Sequence, residues 1–137
     1  MHENFFHKLK IYYEDTDSGG VVYYANYLKF LERARSEALS DVGLSNLKIK
    51  KDYGALIVVK SCNIDFNKSA HLEDKLEINS FITSFSKTSF TMSQSIYRNK
   101  DIIVKSKVHL VFVNEKSKPI KIPENILITL KPFLSIN

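Results

Sequence analysis

Tyr12-Tyr13-Glu14-Asp15-Thr16-Asp17-Ser18-Gly19-Gly20-Val21-Val22-Tyr23-Tyr24-Ala25-Asn26-Tyr27 is the stretch on which the reading of this chain turns. The apolar run Ile11, Tyr12, Tyr13 ends a strand, and the carboxylates Glu14, Asp15 and Asp17 follow it. Two adjacent glycines then lead into an amphipathic segment that starts at Tyr24. A strand that feeds acids through a Gly-Gly loop into a helix N-terminus sets a carboxylate beside unbonded backbone N–H groups. Such groups stabilise a developing negative charge, and the acid can attack a carbonyl or activate water. Gly19 and Gly20 suit a positive φ or a close substrate approach. Asp15 reads as a structural acid bonded to turn amides, and Glu14 as solvated.

Upstream, Phe5 to Tyr13 is expected as a first strand with Phe5, Leu9, Ile11 and Tyr13 on one face. Downstream, Tyr24, Tyr27, Leu28, Leu31, Ala34, Ala38 and Val42 recur at helical steps, which predicts a helix over 24–42 stopped by Gly43. Such a helix is about 28 Å long, enough to cross a sheet. The lysine-rich residues 44–53 read as a connecting segment. Four further strands are expected at Leu56–Phe66, Leu76–Phe85, Phe90–Arg98 and Ile102–Val113, joined by short turns. Pro119 and Pro123 close the last strand, and Ile126 to Phe133 suits a short final helix. One helix followed by successive strands is α+β, an antiparallel sheet of about five strands over one long helix. A second, partly apolar sheet face leaves room for a neighbouring subunit.

With 137 residues, 44% of them hydrophobic, the chain reads as one globular domain spanning 1–137. Cys62 is the only cysteine, which suits a reducing compartment, and its apolar neighbours predict that it packs within a strand. The polar N-terminus carries no signal-peptide pattern and no run is long enough to span a membrane, so a cytoplasmic location is expected. The net charge of +5 comes from scattered lysines and not from a basic block. That disfavours nucleic acid and fits a phosphorylated small molecule, an acidic protein or an anionic membrane surface equally well. His2, His7, His71 and His109 lack metal-ligand spacing, and no cofactor is expected.

Tyr13-x-Asp15-Thr16-Asp17-x-Gly19-Gly20-Val21-Val22-Tyr23-x-x-x-Tyr27-Leu28-x-Phe30-x-Glu32-x-Ala34-Arg35 resembles the signature of YbgC-type acyl-CoA thioesterases, in the 4-hydroxybenzoyl-CoA thioesterase group of hotdog-fold proteins. Ile64-Asp65-Phe66, Ala70 and Asp74-x-Leu76-x-Ile78 extend the likeness, which covers roughly residues 8–115. The resemblance implies a hotdog fold and hydrolysis of an acyl-CoA thioester to a free acid and CoA. It implies homodimers joined edge to edge, doubled into homotetramers, with active sites between subunits. Acyl carrier protein as a partner and a place beside the inner membrane are implied more loosely.

For the site, the resemblance makes Asp17 the catalytic acid, as nucleophile or general base, with Tyr13 close by. It gives the Tyr24 backbone N–H the role of polarising the thioester carbonyl. Many YbgC-type sequences have histidine at the position of Tyr24, so an imidazole role is absent here while a backbone donor is kept. Gly19, Gly20, Val21, Val22, Tyr23 and Tyr27 are the expected substrate contacts. Lys68, Lys87 and Ser89 fall in predicted turns suited to CoA phosphates. Glu32 is a weaker acid candidate, which a bond to Arg35 or a subunit contact explains equally well. Two other readings remain: a hotdog module that binds acyl-CoA or acyl carrier protein without turnover, and a metal-dependent Asp-x-Asp phosphotransferase, which this short antiparallel pattern disfavours.

Overall fold

A computed structural model of the protein describes residues 2–135; Met1, Ile136 and Asn137, the ends of the expected domain, lie outside the described residues. The strands are β1 (Phe5–Lys10), β2 (Leu56–Phe66), β3 (Lys75–Phe85), β4 (Ser89–Arg98) and β5 (Asp101–Val113). They form one antiparallel sheet in the order β1-β3-β4-β5-β2. The helices are α1 (Asn26–Asp41), α2 (Asn46–Tyr53) and α3 (Glu124–Leu130). The sheet curls around α1 as a hotdog.

Five strands and the long helix stand where periodicity put them, with local differences. β1 stops at Lys10 because the Asp15 carboxylate accepts from Tyr12 N at 2.9 Å and folds Tyr13–Asp15 into a 3₁₀ turn. Tyr13 therefore leaves the strand face and is 82% exposed. The buried stripe of α1 is Tyr27, Phe30, Leu31, Ala34, Ala38 and Leu39, whereas Tyr24 and Leu28 point to solvent. The expected connector 44–53 contains α2, whose only buried residue is Ile49. Ser45 caps that helix by accepting from Lys48 N at 3.2 Å, and Gly54 ends it at φ +61°.

Two buried clusters lie between α1 and the sheet. One gathers Ile11, Val22, Tyr27, Phe30 and Leu31 with Ile78, Ile96 and Val104, under the helix N-terminal half. The other gathers Ala38, Leu39, Ile49, Ile82, Phe90 and Leu110 with α3, under the C-terminal half. A polar tie separates them. Gln94, fully buried, donates to Leu31 O and Ser80 Oγ, both at 3.1 Å, and accepts from Arg35 Nη1 at 3.0 Å. A buried amide with its groups bonded stabilises a unique packing, whereas an unbonded one costs about 1–3 kcal/mol.

The two sheet edges differ. β1 is short and carries Lys8 and Lys10, which discourage further pairing. β2 is eleven residues long and almost wholly exposed, with Leu56, Val58, Val59 and Phe66 among its open residues. Cys62 lies in this strand as expected but is exposed, because β2 is an edge. Lys60 is a bulge between Val59 and Ser61. Beyond it the facing alternates anew, so Ile57 and Val59, then Cys62, Ile64 and Phe66, face α1.

Candidate active site

The loop between β1 and α1 is built by short-range bonds. Asp17 Oδ1 accepts from Gly19 N at 2.8 Å, and Asp17 N donates to Val21 O at 2.9 Å. Gly20 turns the chain at φ +81°, a conformation that favours glycine. A side chain at Gly19 would bring its Cβ to 3.2 Å from Asp17 Oδ1. This tight turn leaves Asp17 exposed and its Oδ2 free of protein donors among the described residues.

Beyond the turn the chain is pinned from both sides. Tyr23 N and Asn26 Nδ2 donate to Asp15 O at 3.0 and 2.9 Å. Val22 N donates to Ala70 O at 2.8 Å, and Ala70 N donates to the buried Tyr27 hydroxyl at 3.0 Å. Burial raises the Tyr27 phenol above its usual pKa, the bond from Ala70 opposing it, so Tyr27 stays neutral and fixed. The 67–74 loop is fastened by Arg98, which donates to Ser69 O at 3.1 Å and to Asp74 Oδ2 at 2.7 Å. Partial burial would raise the Asp74 carboxyl. The His71 N–H bond and the Arg98 bond and charge outweigh it and hold the group below its usual pKa.

Helix α1 begins at Asn26 with Ala25 at the N-cap and no side-chain cap. The N–H groups of Tyr24 and Ala25 donate to no acceptor among the described residues. Unbonded N–H groups at a helix N-terminus are what an oxyanion needs. They adjoin a cavity of about 320 Å³ lined by Asp17, Val21, Val22, Tyr24, Tyr27 and Phe66, and closed by residues 67–69. Tyr24 meets Phe66 edge-on at 5.9 Å and Tyr23 at 5.2 Å, so the cavity has an aromatic wall.

Six of the expected residues line this one cavity: Asp17, Val21, Val22, Tyr24, Tyr27 and Lys68. Gly19, Gly20 and Tyr23 lie in the adjoining loop. Tyr13 does not line it. Lys68 pairs with Asp101 at 3.2 Å, both more than half exposed, a weak and easily exchanged bond. Lys87 sits in the β3–β4 turn, with Ser89 just beyond, at the sheet end where β2 begins and away from Asp17. Ser89 is not in a turn. It opens β4, is buried, and bonds His109 Nε2 at 2.9 Å and Ser86 Oγ at 2.5 Å. Glu32 accepts from Ser36 Oγ at 2.6 Å, and Arg35 turns to Gln94, so the expected Glu32–Arg35 bond does not form. Sequence reading missed Phe66, Asn67 and Ser69 as cavity residues. The exposed Phe66 at the end of an apolar strand was the available signal.

The family model of the thioesterase-like superfamily matches residues 12–130. An acyl-CoA thioesterase YbgC of Haemophilus influenzae is 34% identical over 119 residues, 86% of this chain and 88% of that protein. An acyl-CoA thioester hydrolase YbgC of Escherichia coli is 37% identical over 125 residues, 90% of this chain and 92% of that protein. The crystal structure of a probable thioesterase from Bartonella henselae superposes with a TM-score of 0.85 at 33% identity, covering 88% of this chain and all of that one. With its hotdog sheet, its uncapped helix and its acid loop, this chain belongs to the thioesterase-like superfamily.

Proposed function

We propose that the chain, acting as a single domain, is an acyl-CoA thioesterase that hydrolyses its substrate to a free acid and CoA. The observation that carries this reading is the exposed carboxylate of Asp17, its Oδ2 without a protein donor among the described residues, in one cavity with the uncapped N-terminus of α1. The thioester carbonyl sits with its oxygen on the Tyr24 N–H, which strengthens its bond as the carbonyl gains charge. Two routes use this arrangement. In one, Asp17 attacks the carbonyl, the C–S bond breaks, CoA leaves as thiolate, and water hydrolyses the acyl-aspartyl anhydride. In the other, Asp17 takes a proton from water as that water attacks the carbonyl, the C–S bond breaks on collapse, and CoA leaves as thiolate and takes up the proton. A single turnover in ¹⁸O water separates them when water opens the anhydride at the Asp17 carbonyl: the first route then leaves ¹⁶O in the acid and ¹⁸O in Asp17, which passes to the acid in later turnovers, whereas the second route labels the acid at once.

The exposed β2 edge supports a homodimer in which two copies of this strand pair about a two-fold axis. Sheet ends that are far apart in one copy then come together. Lys87 and the start of β4 approach the partner's Asp17 loop, which returns Lys87 to a role with CoA phosphates. Homotetramers, acyl carrier protein as a partner, and a cytoplasmic place beside the inner membrane belong to the same reading. No helix among the described residues is long and apolar enough to cross a membrane.

Release of CoA thiol from a panel of short, long and aromatic acyl-CoAs tests the activity. Turnover of at least one is expected. No release from any of them refutes the proposal.

A further inference from the structure

The outer face of the sheet, turned away from α1, carries a hollow of its own. Its volume is about 540 Å³, against about 320 Å³ for the Asp17 cavity, and the two share no lining residue. Small-molecule sites occupy roughly 300–1,000 Å³. The hollow is lined by Lys8 and Lys10 of β1, Lys75 and Glu77 of β3, Tyr97 of β4 and Asn99 just beyond it.

Strand register explains the grouping. Leu76, Ile78 and Ile96 are buried toward α1, so the residues that alternate with them face outward. Lys8 stands opposite Glu77, and Glu77 opposite Tyr97. One step nearer the sheet end, Lys10 stands opposite Lys75, and the β4–β5 turn brings Asn99 alongside.

The arrangement works against folding. Like charges directly opposite each other destabilise a sheet. Edge protection accounts for Lys8 and Lys10 on β1, but not for Lys75, which lies one strand in. None of the three lysines is ion-paired to a carboxylate among the described residues, although Glu77 faces Lys8. Lys10 Nζ lies 5.9 Å from the Tyr12 ring centroid, the outer limit of a cation–π contact. Three lysines against one glutamate leave an excess of two positive charges in the hollow. A local rule broken without compensation inside the chain marks a functional site. A phosphomonoester supplies the compensation: it carries about two negative charges near neutral pH and accepts from several cations at once. Two strand spacings, about 10 Å, separate Lys8 from Tyr97. Half-buried Tyr97 offers a ring on which a planar base stacks, with a sugar spanning the distance to the lysines.

We infer that this hollow binds a nucleoside monophosphate, its phosphate held by Lys8, Lys10 and Lys75 and its base laid on Tyr97. The inference does not rest on the thioesterase reading, since binding alone tests it.

The test is calorimetry with AMP at low ionic strength. AMP is expected to bind, with adenosine and ribose 5-phosphate, each lacking one anchor, on the order of tenfold weaker. Lys10→Gln with Lys75→Gln is expected to weaken AMP on the order of tenfold or more. Tyr97→Ala is expected to weaken AMP on the order of tenfold and leave ribose 5-phosphate unchanged, which misfolding would not do. Lys105→Gln with Lys107→Gln removes the same charge from exposed positions on β5 and is expected to change nothing. Equal weakening by the two lysine pairs means general attraction of an anion to a basic protein and overturns the inference. So does ribose 5-phosphate binding as tightly as AMP, which leaves Tyr97 without a role. CoA also carries an adenosine phosphate, so the titration is repeated in excess CoA, where AMP binding is expected to persist. Amide NMR shifts are expected at Lys10, Lys75 and Asn99 and not at Tyr24 and Ala25. Displacement by CoA, shifts confined to the Asp17 site, or no binding of AMP at all overturns the inference. A change of oligomeric state in Lys10→Gln with Lys75→Gln makes the patch a contact between copies and overturns it as well.

Discussion

The two ends of α1 are finished in opposite ways. At the C-terminal end Gly43 at φ +81° closes the helix: Gly43 N donates to Ser40 O at 3.0 Å, and Leu44 N to Leu39 O at 2.8 Å. That pair of bonds satisfies the last carbonyls, and Leu44 packs with Leu39 in the buried cluster below. At the N-terminal end no side chain caps the helix, the Tyr24 and Ala25 N–H groups lack partners, and exposed Tyr23, Tyr24 and Phe66 surround the opening. One end is closed by backbone bonds and the other is left open, as the proposed thioesterase site requires. Unsatisfied donors cost folding energy, so a helix end that keeps them beside a carboxylate points to chemistry.

The largest effect is expected from completing neither end but breaking the β2 edge at which the proposed homodimer pairs. Val58→Lys with Val59→Lys puts like charges across the proposed β2 pairing. Sedimentation is expected to show monomers with acyl-CoA activity lost, while circular dichroism keeps its β signal. Next is the polar tie between the halves. Gln94→Leu leaves Arg35, whose charge burial already disfavours, without its fixed acceptor, and urea unfolding is expected to report a loss of about 1–3 kcal/mol. A paired substitution sharpens the contrast of the ends themselves. Gly43→Ala forces a β-carbon into the left-handed region and is expected to cost about 1 kcal/mol with kcat unchanged. Ala25→Asp favours the helix dipole by about 0.5 kcal/mol yet sets a charge against the oxyanion, so Tm is held or raised while kcat falls about tenfold or more.

The smallest effect concerns the clamp on the 67–74 loop. The folded state holds the Asp74 carboxyl below its usual pKa. A group whose folded pKa is depressed stabilises the protein above its unfolded pKa, near 4, and that contribution is lost as pH falls through the folded value. Acid titration of stability is therefore expected to be shallower in Asp74→Asn than in the wild type below about pH 4, and the two curves to run parallel above pH 6.

Much of this contrast is legible in the residues alone. The acid loop, the Gly-Gly turn and the α1 stripe are local signals, and the alternation of β3, β4 and β5 follows from burial of one face. Gln94 alternates with Phe90, Met92 and Ile96 on the core face of β4, but its bonds to Leu31 and Ser80 join segments far apart in sequence. What local pattern could not supply has physical reasons. α2 buries only Ile49, too little for an apolar stripe to emerge among its lysines. The early end of β1 depends on one carboxylate folding back on Tyr12 N. The bulge at Lys60 changes which β2 residues face α1, and no residue type announces it. Phe66 joined the site only when β2 reached the N-terminus of α1, and Cys62 was exposed only because β2 became an edge.

The central claim is that Asp17 at the unfinished end of α1 cleaves the thioester, and steady-state kinetics on the best acyl-CoA with Asp17→Asn and Tyr24→Phe tests it most directly. Asp17→Asn is expected to lose on the order of 10²–10⁴-fold in kcat, with stability unchanged because the side chain is exposed. Tyr24→Phe is expected to stay within about threefold, since the donor at that position is backbone. Wild-type turnover by Asp17→Asn would contradict the account.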